Sequence, residues 1–489
     1  MVHSLHHSFQ QDLPPLWCTI EMKRNESSPW WQRSATELAA AYRSGEVTPS
    51  EVLESSLSRI EALNPQLNAM VALRREQAAA EARASDGRFL RSRPLSPLDG
   101  IPLAIKDNIT TADLPTTWGS PAGRDHRSGR DELAVARARS AGAIVVGKTN
   151  VPEFTLEGYT SNPLFGTTRN PWNLRLTPGG SSGGSVAAVA SGMVPLALGT
   201  DGGGSARRPA SHTGLVGFKP SIGAIARNHA LPPLLLDFEV IGPIARSVAD
   251  IRLLFATLRG PHVTDRGSLG ADVRKPLPAG LRVLYVATLD NAPVDPEIAA
   301  SCRKAADRLA ASGHEVVHGP LPLDLGFMSV AWPAVAQIGL AWLFAQHPRW
   351  REGASAKFVQ MAEAGARMPA ADLWQILEKV AQLRRDAAAL FSSWDLVMMP
   401  AAAALPWAAE APYPEIIAGV PVGPRGHAVF TGWVNAAGLP ALVLPCQPSA
   451  AGLPIGMQLI TDFGTDAALL DAASGLEAVA AQPWTWPMI

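Results

Sequence analysis

The chain has 489 residues, of which 47% are hydrophobic and 17% charged, so it is long enough to bury a large core. Its net charge of −1 supplies no basic surface for nucleic acid or for an anionic membrane, which favours a small neutral substrate. The cysteines Cys18, Cys302 and Cys446 lie far apart and follow no zinc-binding spacing. We therefore expect a cytoplasmic protein that needs no metal, cofactor, nucleic acid or membrane partner.

Residues 1–30 differ in character from the rest of the chain. They contain three early histidines, adjacent prolines and no continuous apolar segment, so they do not resemble a secretory signal. No later stretch stays apolar for the ~18 residues that a membrane span requires. We expect residues 1–30 to be a flexible tail, or part of an overlong start, and residues 31–489 to form the folded domain.

Capping patterns predict where the first helices begin. The segments 34–37 and 48–51 both match the capping box, and Pro49 suits the first position of a helix. Gly45 should end the first helix, and Asn64-Pro65 should end the second. Further helices are expected over residues 74–83 and 131–141.

Two short apolar runs, 101–105 and 143–146, predict buried strands. Because helices and strands follow one another along the chain, the sequence predicts an α/β fold with much parallel pairing. We expect a single large domain in which helices flank a central mixed β-sheet.

Two motif matches do not fit their surroundings. Residues 142–149 match the phosphate-loop expression G-x-x-x-x-G-K-[ST], but their middle positions predict a buried strand, whereas phosphate binding needs an exposed loop before a helix. Residues 179–183 match the G-x-S-x-G nucleophile elbow, yet Arg175 and Pro178 make the preceding segment a poor strand. Neither motif is expected to act in its usual way.

The stretch from Pro178 to Pro220 carries the strongest chemical signal. Its clusters 179–185 and 202–205 hold seven glycines, which suits loops that need positive φ angles or a close approach to a ligand. Ser205 is the candidate nucleophile of an acyl transfer. An oxyanion hole is expected from the backbone N–H groups of Gly202, Gly203, Gly204 and Ser205.

A serine nucleophile needs a base to remove its proton. None of the later histidines sits in a recognisable catalytic setting, and each is interpreted as a surface or core residue. A desolvated lysine is the remaining choice. Three lysines end apolar runs: Lys106, Lys148 and Lys219. The periodicity of the sequence does not choose among them. It is also compatible with the structural alternative, in which all three only lie at strand ends.

The glycine-rich stretch resembles the amidase signature family of Ser-cis-Ser-Lys amidohydrolases. The family pattern G-G-S-S-G-G-S matches Gly179–Ser185, G-T-D-x-G-G-S-x-R matches Gly199–Arg207, and G-x-K-P matches Gly217–Pro220. The family motif G-[IV]-P-x-x-x-K-D matches Gly100–Asp107. Other family-like segments extend the resemblance over about residues 34–477.

The resemblance implies a mechanism that needs no cofactor. It identifies Lys106 as the base, Ser205 as the nucleophile and Ser181, preceded by a cis peptide bond, as the hydroxyl that passes the proton between them. Asp107 should point away from Lys106, because neighbouring side chains of an extended chain face opposite sides. The supporting residues that the resemblance implies are Ser182, Thr200, Asp201 and Arg207.

The chain departs from the family pattern in places. Gly202 replaces a larger residue, Ala206 replaces a common β-branched one, and Thr213 stands where many members have cysteine, but none of these removes a chemical role. Residues 321–420 carry little family pattern and several tryptophans and methionines, including Trp332. Tryptophans and methionines at helical spacing usually belong to the hydrophobic core. In the family that this chain resembles, however, the variable part borders the substrate entrance, so these residues could instead line a hydrophobic acyl or aryl pocket.

We therefore expect an amidase, a hydrolase of carbon–nitrogen bonds other than peptide bonds, that cleaves a small amide, anilide or carbamate with water. The sequence does not rank these substrates, and it leaves a homodimer open. The alternative is the A subunit of a tRNA-dependent amidotransferase complex, although the near-neutral chain shows no nucleic-acid footprint. A catalytically inactive binding module is disfavoured, because Lys106, Ser181 and Ser205 are all present.

Overall fold

An 11-stranded mixed β-sheet organises the computed structural model, which describes residues 29–270, 276–480 and 484–489. Residues 1–28, nearly all of the predicted N-terminal tail, lie outside the described residues. The predicted architecture, a single α/β domain with helices around a central mixed sheet, is confirmed.

The strands of the described residues follow one another along the whole chain. In order they are β1 (Met70–Leu73), β2 (Pro102–Lys106), β3 (Ile144–Thr149), β4 (Ser161–Asn162), β5 (Gly166–Thr167), β6 (Leu196–Asp201), β7 (Val216–Lys219), β8 (Val240–Ala245), β9 (Arg282–Tyr285), β10 (Glu315–His318), β11 (Leu396–Pro400), β12 (Ile416–Ile417), β13 (Val420–Pro421), β14 (Ala441–Pro445) and β15 (Gly456–Ile460). Two small pairs, β4 with β5 and β12 with β13, lie outside the large sheet.

The α-helices are interspersed with these strands. In order they are α1 (Ala35–Ser44), α2 (Pro49–Leu67), α3 (Arg75–Leu90), α4 (Leu133–Ser140), α5 (Gly183–Ala190), α6 (Arg207–Thr213), α7 (Val248–Leu258), α8 (Pro296–Ala311), α9 (Met328–Gln346), α10 (Pro348–Glu352), α11 (Ala356–Ala366), α12 (Ala370–Leu390), α13 (Gly432–Ala436) and α14 (Asp466–Ala480).

The large sheet has the order β1-β3-β2-β6-β8-β7-β14-β15-β11-β9-β10. Parallel pairing joins β2 to β3 and β6, and joins β9 to β10 and β11. The other neighbours in this sheet are antiparallel. Buried apolar side chains of the helices and strands form three clusters, which anchor the helices to the sheet.

Two adjacent parallel strands position the site. In β2 and β6, Ile105 is paired with Leu198, so Lys106 and residues 199–201 come to the same edge of the sheet. Residues that follow the carboxyl ends of parallel strands line a crevice at that edge, which is where α/β proteins bind ligands. The glycine-rich loops before α5 and after β6 both belong to this region.

The helices differ from the sequence predictions at their ends. Helix α2 runs through Pro65 to Leu67, so the prediction that Pro65 ends it was wrong. Asn68, at φ 50°, ends the helix instead, and Asn64 Oδ1 accepts from the N–H groups that follow the helix. Helix α3 extends to Leu90 rather than residue 83, whereas α4 is shorter than its predicted range of 131–141.

Helix α9 contradicts the expectation that no apolar stretch reaches membrane-spanning length. Among the described residues it is the one helix that is long and apolar enough to cross a membrane by length and composition. A core helix passes the same test, and part of α9 is core: Trp332, Leu340 and Phe344 belong to a buried apolar cluster.

Candidate active site

The loop before α5 holds Ser181 in a tightly confined backbone. The peptide bond between Gly180 and Ser181 is cis, and Gly179 has a φ of 88°. A Cβ atom at Gly180 would lie 2.4 Å from the carbonyl oxygen of Tyr159, so no larger residue fits there. Ser181 itself is buried, with 1% of its surface exposed. The segment that matches the nucleophile-elbow expression thus forms a loop around a buried serine, in agreement with the expectation that it does not act as an elbow.

Lys106 reaches this loop from the end of β2. Its Nζ donates to Ser181 Oγ at 2.8 Å, to Thr200 Oγ1 at 2.9 Å and to the carbonyl oxygen of Thr200 at 3.3 Å. Asn108 Nδ2 also donates to Thr200 Oγ1, at 3.0 Å. The ammonium group is therefore held by neutral oxygens and pointed at one serine hydroxyl.

The surroundings of Lys106 favour its neutral form. Burial lowers the pKa of Lys106 to about 7, and the charges of Glu239 and Asp201 only partly oppose that effect. Within the described part of the chain, no carboxylate oxygen forms an ion pair with Lys106 Nζ. A lysine in this state holds a substantial neutral fraction near pH 7 and can accept a proton.

The structure separates the three candidate lysines. Lys148 Nζ donates to the carbonyl oxygen of Ile109 at 2.6 Å and lies 3.5 Å from the carboxylate of Asp107. Lys219 Nζ donates to the carbonyl oxygen of Pro220 at 2.8 Å. Of the three, only Lys106 contacts a serine hydroxyl, and Asp107 is directed to Lys148 rather than to Lys106, as expected.

Ser205 lies beside Ser181 but is more open. Its carbonyl oxygen accepts from the N–H of Ser182 at 3.1 Å, which ties the two serine loops together, and 8% of its surface is exposed. Ser182 Oγ in turn donates to the carbonyl oxygen of Thr200 at 3.1 Å. Within the described residues Ser205 Oγ makes no hydrogen bond, so the contact between the two hydroxyls is not closed in this state. Catalytic hydrogen bonds of this kind often tighten only in the substrate complex.

The predicted oxyanion loop needs one correction. Gly204 N–H donates to Asp201 Oδ1 at 2.7 Å, so this group is not available to a substrate, contrary to expectation. Gly204 has a φ of 108°, and the resulting turn aims its N–H back at the end of β6. The N–H groups of Gly202, Gly203 and Ser205 donate to no protein acceptor among the described residues.

Asp201 and Arg207 form the rigid base of this loop. Both are completely buried, and the guanidinium of Arg207 donates to the two carboxylate oxygens of Asp201 at 2.9 and 3.0 Å. Although burial alone would raise the pKa of Asp201, the charge of Arg207 holds it well below its usual range. Asn435 and Gln458 complete the network through hydrogen bonds to this pair. The pair is thus charged and hydrogen-bonded on every side, which fixes the turn that carries Ser205.

The sequence analysis missed several residues that hold the site. Arg208 donates to the carbonyl oxygens of Gly203 and Gly180, and to Thr431 Oγ1 at 3.0 Å, so it spans both serine loops. Burial lowers the pKa of Arg208 to about 9. The available signal for Arg208 was its position directly after Arg207, three residues beyond Ser205. Asn108, Thr431 and Asn435 belong to no motif and come together only in the fold.

Two histidines lie near the loops without touching the serines. A Cβ at Gly179 would lie 3.0 Å from His212 Nδ1, and His427 lies behind Gly158. Burial lowers the pKa of His212 to about 4 and that of His427 well below its ordinary value. His212 Nε2 contacts the carbonyl oxygen of Ala404 at 3.2 Å. Both are core residues, as the sequence analysis inferred.

A cavity of about 580 Å³ adjoins the oxyanion loop through Trp332. The indole N–H of Trp332 donates to the carbonyl oxygen of Gly202 at 3.3 Å, and its ring forms one wall of the cavity. Met328, Trp433 and Arg425 are among the other lining residues. Neither this cavity nor a larger one of about 800 Å³ next to α14 is lined by any of the predicted site residues.

The model of the family described as Amidase matches residues 51–470. The chain belongs to the amidase signature family. This amidase is 36% identical over 469 residues to the A subunit of a glutamyl-tRNA(Gln) amidotransferase from Synechococcus sp., and the match covers 90% of this chain and 94% of that protein. It is 34% identical to an indoleacetamide hydrolase from Bradyrhizobium diazoefficiens, over 92% of this chain and 87% of the relative.

Solved structures agree with these sequence relatives. A bacterial aryl acylamidase of the amidase signature family superposes with a TM-score of 0.84 at 29% identity, over 93% of this chain and 97% of that one. The resemblance predicted from the motifs is therefore confirmed, and with it the class of reaction. The protein is a hydrolase of amide carbon–nitrogen bonds.

Proposed function

We propose that this amidase hydrolyses a small amide, anilide or carbamate through an acyl-enzyme on Ser205, with Lys106 and Ser181 as the proton relay. The observation that carries the proposal is the 2.8 Å contact between Lys106 Nζ and Ser181 Oγ, made by a buried lysine that has no carboxylate partner among the described residues. The chain's own residues supply the base, the proton carrier and the nucleophile, so the reaction needs water and no cofactor.

The proton path runs from Ser205 to Lys106. Neutral Lys106 accepts the proton of Ser181, and Ser181 accepts the proton of Ser205 as Ser205 Oγ attacks the carbonyl carbon. The relay then runs backwards to protonate the leaving amine. Water follows the same path in the second step, which releases the acid and restores the free serine.

The oxyanion is the second demand of this chemistry. The N–H groups of Gly202, Gly203 and Ser205 are free of protein acceptors in the described chain, and they follow one another around the turn before α6. Donors held in this way need no reorganisation when the carbonyl oxygen becomes negative, which makes them effective in a site that excludes water. Arg208 supports the same turn through the carbonyl oxygen of Gly203.

The walls of the cavity beside the loop favour aromatic or other apolar substrates. Trp332, Met328 and Trp433 line it, and apolar pockets with a few polar groups are the usual form of small-molecule sites. One structural neighbour is an aryl acylamidase, and one relative is an indoleacetamide hydrolase, so both names describe aromatic amides. Anilides and aryl carbamates are therefore the first substrates to test.

Acyl transfer to hydroxylamine tests the acyl-enzyme. Acetamide, acetanilide and 4-nitroacetanilide share one acyl group, so an acetyl-enzyme must partition between water and hydroxylamine in the same ratio for all three. We expect one common ratio of acetohydroxamate to acetate. A ratio that follows the leaving group would mean that the nucleophile attacks each substrate directly, and would overturn the covalent mechanism. Amine release from ethyl N-(4-nitrophenyl)carbamate then tests the carbamate class.

The second candidate is the A subunit of a tRNA-dependent amidotransferase, which the 36% identical relative favours. Such a subunit depends on its partners and on glutamine, whereas the proposed enzyme acts alone. Purified chain that cleaves anilides without glutamine or other subunits would reject this candidate. Hydrolysis seen only with glutamine, and only when other subunits co-purify, would support it.

A further inference from the structure

Arg425 is a cation on the wall of the cavity, and no carboxylate among the described residues pairs with it. Its guanidinium carbon lies 3.8 Å from the centre of the Trp332 ring, a stacking distance, and in the described part of the chain its side chain makes no hydrogen bond or ion pair. Arg425 is half-buried, and this burial lowers its pKa to about 10. A half-buried cation without a counter-charge can accept one from a ligand, and the ligand's own burial then strengthens the pair.

The nearest acidic groups do not fill this role. Glu157 is the acidic residue whose charge acts on Arg425, but its carboxylate is paired with Lys357 Nζ at 2.7 Å. Asp290 also lines the cavity and is exposed, and no ion pair joins it to Arg425 within the described residues. The guanidinium therefore has free donors on a cavity wall.

The donors of Arg425 converge with the apolar walls at one point. A Cβ at Gly432 would lie 3.7 Å from an Arg425 terminal nitrogen and 3.9 Å from both Met328 Cε and Trp332 Cδ1. The absence of a side chain at Gly432 thus leaves space where a guanidinium, a thioether and an indole meet. Trp332 is the residue shared by this space and the oxyanion loop, since its ring lines the cavity and its indole N–H donates to the carbonyl oxygen of Gly202.

This combination selects a particular kind of ligand. The guanidinium carbon of Arg425 lies over the Trp332 ring, and the fork of N–H groups of a guanidinium matches the two oxygens of a carboxylate. The indole and the methionine contact the apolar body of the same ligand. A neutral amide would fill the apolar part and leave the charge without a counter-charge.

We propose that Arg425 binds a carboxylate of the substrate, so that the preferred substrates are amides with an apolar body and an acid group remote from the scissile bond. The proposal rests on the proposed function and replaces the expectation of a neutral substrate, because one guanidinium in a cavity decides local selectivity whatever the net charge of the chain. The acid group belongs either to the acyl part or to the amine part.

Two matched substrate pairs test the proposal and tell these sources apart. The acyl-side pair is N-(4-nitrophenyl)glutaramate and the 4-nitroanilide of 5-oxohexanoic acid, in which a methyl ketone replaces the carboxylate. The amine-side pair is 4-acetamidobenzoate and 4-acetamidoacetophenone. For one pair we expect the wild type to prefer the acid by about 10- to 100-fold in kcat/KM, the range typical of a charge-assisted hydrogen bond.

The variant Arg425→Gln should lose most of this preference by slowing the acid, while kcat/KM for the ketone stays within about threefold. Arg425→Lys should keep part of the preference, since it retains the charge but not the planar fork. The preference is a ratio of two rates from one preparation, so a partly unfolded variant does not distort it. Arg349→Gln is the matched control, because Arg349 also lies over a tryptophan, Trp350, but does not line this cavity.

The outcomes separate this proposal from the proposed function. Hydrolysis of both members of each pair, with no preference for the acid or with a preference that Arg425→Gln leaves unchanged, would overturn the role of Arg425 and leave the acyl-enzyme intact. A chain that hydrolyses none of the four amides would count against the proposed function itself.

Discussion

Lys106 Nζ lies 2.8 Å from Ser181 Oγ, and this contact joins the end of β2 to the loop before α5. The two residues are 75 positions apart in the sequence, so the proposed base and the proposed proton carrier meet only when the sheet has formed. Asp107, the next residue along the chain, is buried and pairs with Lys148 instead. This arrangement leaves Lys106 as a buried base rather than as half of an ion pair.

The pH dependence of acylation should report Lys106. The base acts only when neutral, and its pKa lies at about 7, so kcat/KM for 4-nitroacetanilide should rise through pH 7 and level off above about pH 8. A histidine base in this site would give a different profile, because the pKa of His212 is lowered to about 4. Its rate would already be constant from about pH 5 upward.

Variants complete this experiment. Lys106→Ala should lose most activity together with the limb near pH 7, whereas His212→Gln should keep both. A flat profile between pH 5.5 and 9, or a His212 variant as inactive as the Lys106 variant, would reject the lysine relay.

Ser205→Ala should abolish turnover and leave the fold unchanged. Ser205 Oγ makes no hydrogen bond among the described residues, so its loss costs little stability, whereas the loss of a nucleophile lowers kcat by at least about 1000-fold. Thermal unfolding and kcat for 4-nitroacetanilide measure the two effects. Ser191→Ala, a buried serine whose Oγ bonds within its own helix end, serves as control and should stay within about threefold. Turnover above one hundredth of wild type in Ser205→Ala would place the nucleophile elsewhere.

The local part of the site could be predicted from the sequence, because motifs are local. Lys106, Ser181 and Ser205 each stand in a short run whose glycines and prolines fix the backbone around them. The long-range part could not be predicted in this way. Asn435 reaches Asp201 across 234 positions, and Arg425 meets Trp332 although helices α10 to α12 and strands β11 to β13 lie between them in the sequence. No pattern within either segment indicates the other.

Two predictions that were wrong, on Gly204 and on Pro65, share one physical cause. Gly204 was expected to donate to a substrate, but the turn after β6 brings its N–H back to Asp201. Pro65 was expected to end a helix, yet it falls in the last turn of α2, where Asn64 satisfies the chain beyond it. In both cases a nearby side-chain oxygen accepts a hydrogen bond from backbone N–H groups. Residue propensities for helices and turns do not reveal such local hydrogen bonds.

Asp201→Asn should destabilise the protein strongly. The substitution removes the counter-charge of Arg207, which is completely buried, and breaking a buried ion pair from one side costs about 3 to 5 kcal/mol. Urea unfolding measures the change. Asp471→Asn provides the matched control, because Asp471 pairs with Arg252 at 2.7 Å on the surface, where such pairs contribute about 0 to 1 kcal/mol. Equal losses in the two variants would show that the Asp201 network does not hold the loop.

Mild acid should destabilise the folded state through His212. The folded protein lowers the pKa of His212 to about 4 by burial, whereas an unfolded chain has the ordinary value of about 6.5. Below pH 6.5 His212 therefore binds a proton in the unfolded state but not in the folded state. The free energy of unfolding falls as the pH drops toward 4. Between pH 6.5 and 5 this difference amounts to about 1.5 kcal/mol. We expect urea unfolding of His212→Gln to lose that part of the pH dependence, while His347→Gln, at an exposed position, follows the wild type. Identical pH slopes in wild type and His212→Gln would mean that this histidine is protonated equally in both states.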